Sequence, residues 1–152
     1  MKKKVFIIGF ICTLLDQLTK LIITKCFELN TGKIIIDNFF SLLYIRNTGA
    51  AWGILSNNTF LLIIISLLFL GVFIYFIKKT SVTKMETYSY GLILGGIVGN
   101  LLDRIIRGYV VDFFNFKIFN YNYPIFNVAD TFIVVGVTLI IIEEIIKYKK
   151  SK

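Results

Sequence analysis

A chain of 152 residues that is 57% hydrophobic and 17% charged, with one proline, has too little polar sequence to build a water-soluble domain. The net charge of +8 would suit a nucleic-acid partner, but its distribution points to a bilayer. Lys2, Lys3 and Lys4, then Lys78, Lys79 and Lys84, then Lys147, Lys149, Lys150 and Lys152, ten of the 17 basic residues, fall in three short segments bordering apolar stretches. With no histidine, a Cys/His zinc site is excluded.

Four stretches are long enough, at ~1.5 Å per residue, to cross a hydrocarbon core of ~30 Å: Val5 to Thr24, Thr59 to Ile77, Met85 to Ile106 and Ile125 to Ile146. They predict an all-α polytopic membrane protein, one membrane-embedded domain over residues 1–152. The positive-inside rule puts the three basic segments, and so both termini, in the cytoplasm.

The first span also resembles a signal peptide. It is longer than a typical apolar core, contains Asp16 and Lys20, and ends Thr24-Lys25-Cys26 without small residues for cleavage, so it is expected to stay as a helix. Cys12 and Cys26 stand about 21 Å apart on it, beyond disulfide reach. Thr13, Asp16, Gln17, Lys20 and Thr24 form a polar stripe, with Asp16 and Lys20 at i, i+4.

The first outer connection, residues 25–58, alternates short apolar runs with turn residues and predicts a small strand pair lying on the bilayer. Arg46-Asn47-Thr48-Gly49-Ala50-Ala51-Trp52-Gly53 follows, with small residues that permit close approach of another chain. In span three, Gly91, Gly95 and Gly99 form a ridge for helix packing, followed by Asn100 and Asp103. The second outer connection, residues 107–124, reads as an aromatic loop at headgroup level, carrying Asp112 among Tyr109, Phe113, Phe114 and Phe116. Span four brings Asn127 and Asp130, spaced like Asn100 and Asp103 and so expected on one helix face.

Carboxylates are expensive in hydrocarbon and are functional-site candidates there; they must be paired or protonated. The depths of these residues near the outer surface leave two dyads open, Asp103 with Asp130 and Asp112 with Asp130. Either would share a proton, leaving one acid as base toward water and the other as acid. A transporter would also use such residues, but no inverted repeat or broken-helix pair is detectable. A noncatalytic lipid-binding subunit would not need two converging acids.

Five blocks separate the two dyads: Asp16-Gln17-Leu18-Thr19-Lys20, Asn47 to Gly53, Gly99-Asn100-Leu101-Leu102-Asp103-Arg104, Val110-Val111-Asp112-Phe113 and Phe126-Asn127-Val128-Ala129-Asp130-Thr131. In order and spacing they resemble the lipoprotein signal peptidase family, signal peptidase II. The resemblance implies an intramembrane aspartic endopeptidase that removes signal peptides from bacterial prolipoproteins, cutting just before a diacylglyceryl-modified cysteine. It places the catalytic pair on Asp112 and Asp130, with Asp16, Lys20, Asn47, Gly49, Asn100, Asp103, Arg104 and Asn127 in binding or supporting roles. It implies no metal and no other cofactor. The implied partners are lipid-modified prolipoproteins, membrane phospholipids and cyclic peptide inhibitors such as globomycin, but no nucleic acid. The expected setting is a monomer in the bacterial plasma membrane, with its active site near the outer face.

Overall fold

Thr83 and Gly108 bound the helix around which the other elements gather. The Thr83 side chain accepts the Glu86 N–H while the Glu86 carboxylate accepts the Thr83 N–H, a capping box that starts α3 (Lys84–Arg107). Gly108, at φ 78°, takes the left-handed conformation that ends it and donates its N–H to the Arg104 carbonyl. The structure, a computed structural model, describes residues 1–50, 54–119 and 121–151. The Ala51-Trp52-Gly53 end of the Asn47 block lies outside these residues.

Against α3 pack α1 (Lys2–Cys26) and α4 (Val128–Lys150), with α2 (Thr59–Lys79) in slighter contact. The expected glycine ridge faces α1: a Cβ at Gly95 would strike Cys12, and one at Gly99 would strike the Asp16 carboxylate. Gly96, on the opposite side, lets the Ala129 backbone of α4 come equally close. Both neighbours therefore sit at backbone distance from α3, and that closeness brings the polar stripe of α1 within hydrogen-bonding reach.

Helices α1, α2 and α3 are each long and apolar enough to cross a membrane. Helix α4 is long, but Asp130, Glu143 and Glu144 make it less uniformly apolar. It also begins at Val128 rather than at Ile125, because Asn127 is its N-cap. The Asn127–Asp130 pair thus forms a capping box across the start of the helix, not the expected face along it.

The expected strand pair is present as β1 (Gly32–Ile36) and β2 (Phe40–Asn47), antiparallel. The segment read as an aromatic loop is instead two further strands, β3 (Val110–Ile118) and β4 (Tyr121–Asn122), in a four-stranded antiparallel sheet ordered β1-β2-β3-β4. The apolar and aromatic residues of β3 are explained by burial on both faces. Val111 and Phe113 pack with Tyr44 and Ile23 over the end of α1, and the alternate residues Asp112 and Phe116 line a cleft. A bulge on β2 separates the pairs Leu42↔Phe114 and Ile45↔Asp112, and Asn47 pairs with Val110, which sets Asn47 diagonally across from Asp112. A second apolar cluster, Val5, Ile77, Val82, Tyr90 and Leu94, closes the other end of the helices.

Candidate active site

The polar residues form two connected layers. In the inner one, Lys20 is fully buried and its ammonium lies 2.9 Å from Asp16 Oδ2 and 3.1 Å from Asp103 Oδ2. The expected i, i+4 pair is therefore made, and it is extended to α3. Asp16 Oδ1 accepts the Ala129 N–H at the start of α4 (3.0 Å), so this carboxylate ties α1 to α4 directly and to α3 through Lys20. Gln17 donates to Asp103 Oδ1 (3.1 Å) and to the Gly99 carbonyl (3.1 Å). Arg107 pairs with Asp103 one turn earlier. Asp103 Oδ2 also accepts the Val111 N–H (3.0 Å), anchoring β3 one residue before Asp112. Every oxygen of Asp103 is thus engaged, the residue is fully buried, and it does not line the cleft. Thr24 leaves the stripe, its hydroxyl bonding to the Leu21 carbonyl of its own helix.

In the outer layer, asparagine amides meet two carboxyl groups. Asn127 Nδ2 donates to Asp112 Oδ1 (2.6 Å) and Asn47 Nδ2 to Asp112 Oδ2 (2.9 Å). Asn100 Nδ2 donates to Asp130 Oδ1 (2.7 Å), and Asp130 Oδ2 accepts the Asn127 backbone N–H (3.1 Å). The layers join at Asn100 Oδ1, which accepts from Lys20 (2.9 Å) and from Asn127 Nδ2 (3.1 Å). Arg104 donates to the Gly49 carbonyl (3.1 Å) while Gly49 N–H donates to Asn47 Oδ1 (2.9 Å), which fixes the segment after β2 over the site.

Asp112 and Asp130 line one cleft of about 940 Å³, walled by β2 and β3, by the ends of α3 and α4, and by Tyr123 to Phe126. Apart from these acids, Asn47, Asn100 and two arginines, its lining is largely apolar, with Ile45, Phe116, Ile133 and Val134 among its walls. Burial, with the charge of Asp130 second, pushes Asp112 up from 3.8 to about 7, against the opposing hydrogen bonds from Asn47 and Asn127 and the charge of Lys20. Asp112 thus titrates close to neutrality, where one proton is readily held or released.

All ten singled-out residues belong to this connected network. Gln17, Arg107 and Arg46, the last lining the cleft, were not among the expected site residues. Gln17 and Arg107 each stand at i, i+3 or i, i+4 to another polar member, a spacing that marks shared faces, whereas Arg46 is placed only by strand pairing.

A profile of the family described as Signal peptidase (SPase) II matches residues 8–146. The chain belongs to the signal peptidase II family. Members of this family are proteases that cleave lipoprotein signal peptides. Two similar solved structures, each a bacterial membrane enzyme obtained by the in meso method, agree in fold. One, at 2.3 Å resolution, shares 36% identity over 97% of this chain and 91% of the other, with a TM-score of 0.88. The other, at 1.9 Å, shares 36% identity over 91% and 90% of the two chains, with a TM-score of 0.82.

Proposed function

We propose that this signal peptidase II is an aspartic endopeptidase that cuts diacylglyceryl-modified prolipoproteins just before the lipidated cysteine, with Asp112 and Asp130 as its catalytic dyad. The observation that carries the reading is the opening of Asp112 and Asp130 onto one cleft, while Asp103 is buried and saturated by Lys20, Arg107, Gln17 and the Val111 N–H. One carboxylate takes a proton from water as it attacks the scissile carbonyl. The protonated partner polarises the carbonyl oxygen and then delivers its proton to the leaving amine. The shared proton belongs to the pair, so the two roles can exchange over the cycle.

In this reading α4 spans the membrane with the other three helices, both termini are cytoplasmic, and the cleft lies near the outer face of the bacterial plasma membrane. The apolar lining suits acyl chains entering laterally, and the cleft volume is in the range of ligand pockets, ~300–1,000 Å³. Cyclic peptides such as globomycin would inhibit by placing a polar group between the two aspartates. Every block of the site lies on one chain, so a monomer suffices.

The test is cleavage of a diacylglyceryl-modified prolipoprotein by the purified protein in detergent, without added metal or nucleotide. Cleavage by the unaltered protein, with folded Asp112→Asn and Asp130→Asn both inactive yet still binding lipidated substrate, is the expected result. An active Asp112→Asn beside a folded, substrate-binding but inactive Asp103→Asn would move the dyad to Asp103 and Asp130.

A further inference from the structure

An asparagine amide has nearly the same shape whichever way it faces, so packing alone does not decide whether its oxygen or its nitrogen meets a neighbour. For Asn100 the choice is decisive. With Nδ2 toward Asp130 it donates to the acid; flipped, it would set a carbonyl oxygen against a carboxyl group. The group that separates these two states is Lys20. Its ammonium carries three donors and no acceptor, and all three have partners: Asp16 Oδ2, Asp103 Oδ2 and Asn100 Oδ1, at 2.9, 3.1 and 2.9 Å. Only the oxygen end of Asn100 can face it.

The same logic passes to Asn127. Its Oδ1 is committed to the Asp130 N–H in the helix cap, and its Nδ2 is shared between Asn100 Oδ1 and Asp112 Oδ1. Were Asn100 flipped, two amide nitrogens would face one another and the hold of Asn127 on Asp112 would loosen. We propose that Lys20 is a positioning residue for peptide-bond cleavage: it holds the oxygen of Asn100, and so turns the amide donors of Asn100 and Asn127 onto Asp130 and Asp112. The proposal rests on the dyad reading above. Lys20 does not line the cleft and has no donor left for substrate, so it acts only through the two amides.

Among the described residues, the charged groups around Lys20 and the dyad are Asp16 from α1, Asp103, Arg104 and Arg107 from α3, and Arg46 from β2. Removing Lys20 alone would leave Asp16 and Asp103 short of a cation, so the test pairs Lys20→Met with Asp16→Asn, which leaves Asp103 its Arg107 partner. The reference is Asp16→Asn alone. The full-length protein in detergent is assayed on diacylglyceryl-modified prolipoprotein across pH. Relative to the reference, the double variant is expected to lose about 10- to 100-fold in kcat with KM little changed, because the Asn100 and Asn127 donors near the reacting atoms are misaligned while the apolar walls of the cleft stay as they are. The alkaline limb of its pH profile should move up by about one unit, because a cation and ordered amide donors that favour the ionised dyad are gone.

A folded double variant with the reference kcat, or with a lower kcat and an unmoved alkaline limb, would overturn the proposal. So would loss of the fold despite the balanced charge, since Lys20 would then be a structural ion. Asp112→Asn, run in parallel, separates the two readings: turnover by that variant would remove the dyad itself, whatever Lys20 does.

Discussion

Asn127 holds two positions at once, and its substitutions can separate them. Its Oδ1 caps α4 by accepting the Asp130 N–H at 3.0 Å, and its Nδ2 meets Asp112 at 2.6 Å and Asn100 at 3.1 Å. Serine caps about as well as asparagine, so Asn127→Ser keeps the first function within a few tenths of a kcal/mol and deletes the second. The lost donor leaves a buried carboxyl oxygen and a buried amide oxygen each one bond poorer, about 1.5–3 and about 1 kcal/mol respectively. Asn127→Ser should therefore destabilise by about 2.5–4 kcal/mol, and Asn127→Ala by about 1 kcal/mol more for the lost cap. Asn127→Asp, which also caps, should be inactive at neutral pH because it sets a third carboxylate against Asp112. Thermal unfolding in detergent and cleavage kinetics are measured on all three variants. Equal stability of the Ser and Ala variants, together with unaltered kcat for Asn127→Ser, would refute both halves of the reasoning.

Asp103→Asn should destabilise by about 1–3 kcal/mol in a detergent unfolding assay, since it weakens the charge-assisted bonds to Lys20 and Arg107 while Lys20 keeps Asp16. A variant as stable as the unaltered protein would contradict that. Because Asp112 sits at about 7 in the folded protein against 3.8 as its ordinary value, the proposed dyad should lose its proton as pH rises through about 7, and kcat should fall on that alkaline side. The same shift makes the Asp112 contribution to stability fully present below about 4 and lost as pH rises through about 7; Asp112→Asn should flatten this dependence in unfolding curves. Gly99→Ala should destabilise by about 1–3 kcal/mol, because the added methyl meets the Asp16 carboxylate between two helices in backbone contact; an unchanged unfolding midpoint would count against that packing. In a Cys26→Ser background, which removes the exposed native thiol, a cysteine placed at position 80 should react with membrane-impermeant reagent only from the cytoplasmic side, and its labelling in intact cells would reverse the topology.

Features that depend on neighbours along the chain were legible without any fold. Apolar length located the first three helices to within about three residues at either end, and the i, i+4 spacing of Asp16 and Lys20 marked an ion pair that a single helix can form. The hairpin of β1 and β2 was legible because a short turn joins adjacent strands, and the motif blocks carried the family. Tertiary structure decided the rest. Strand β3 read as an aromatic loop because its partner β2 lies more than 60 residues earlier, and its burial on two faces removes the polar alternation that marks a half-exposed strand. Asn127 and Asp130 have the spacing of a helix face and of a capping box alike, and only the entry of the chain into α4 chose the cap. Asp103 and Asp112 were equivalent as charges in a greasy sequence. They differ because Gly108 turns the chain back so that β3 presents Asp112 to the cleft, while Lys20 and Gln17 from a distant helix, with Arg107, occupy Asp103 completely. A carboxylate is available for chemistry according to which partners reach it in space, and those partners come from helices and strands that no local pattern brings together.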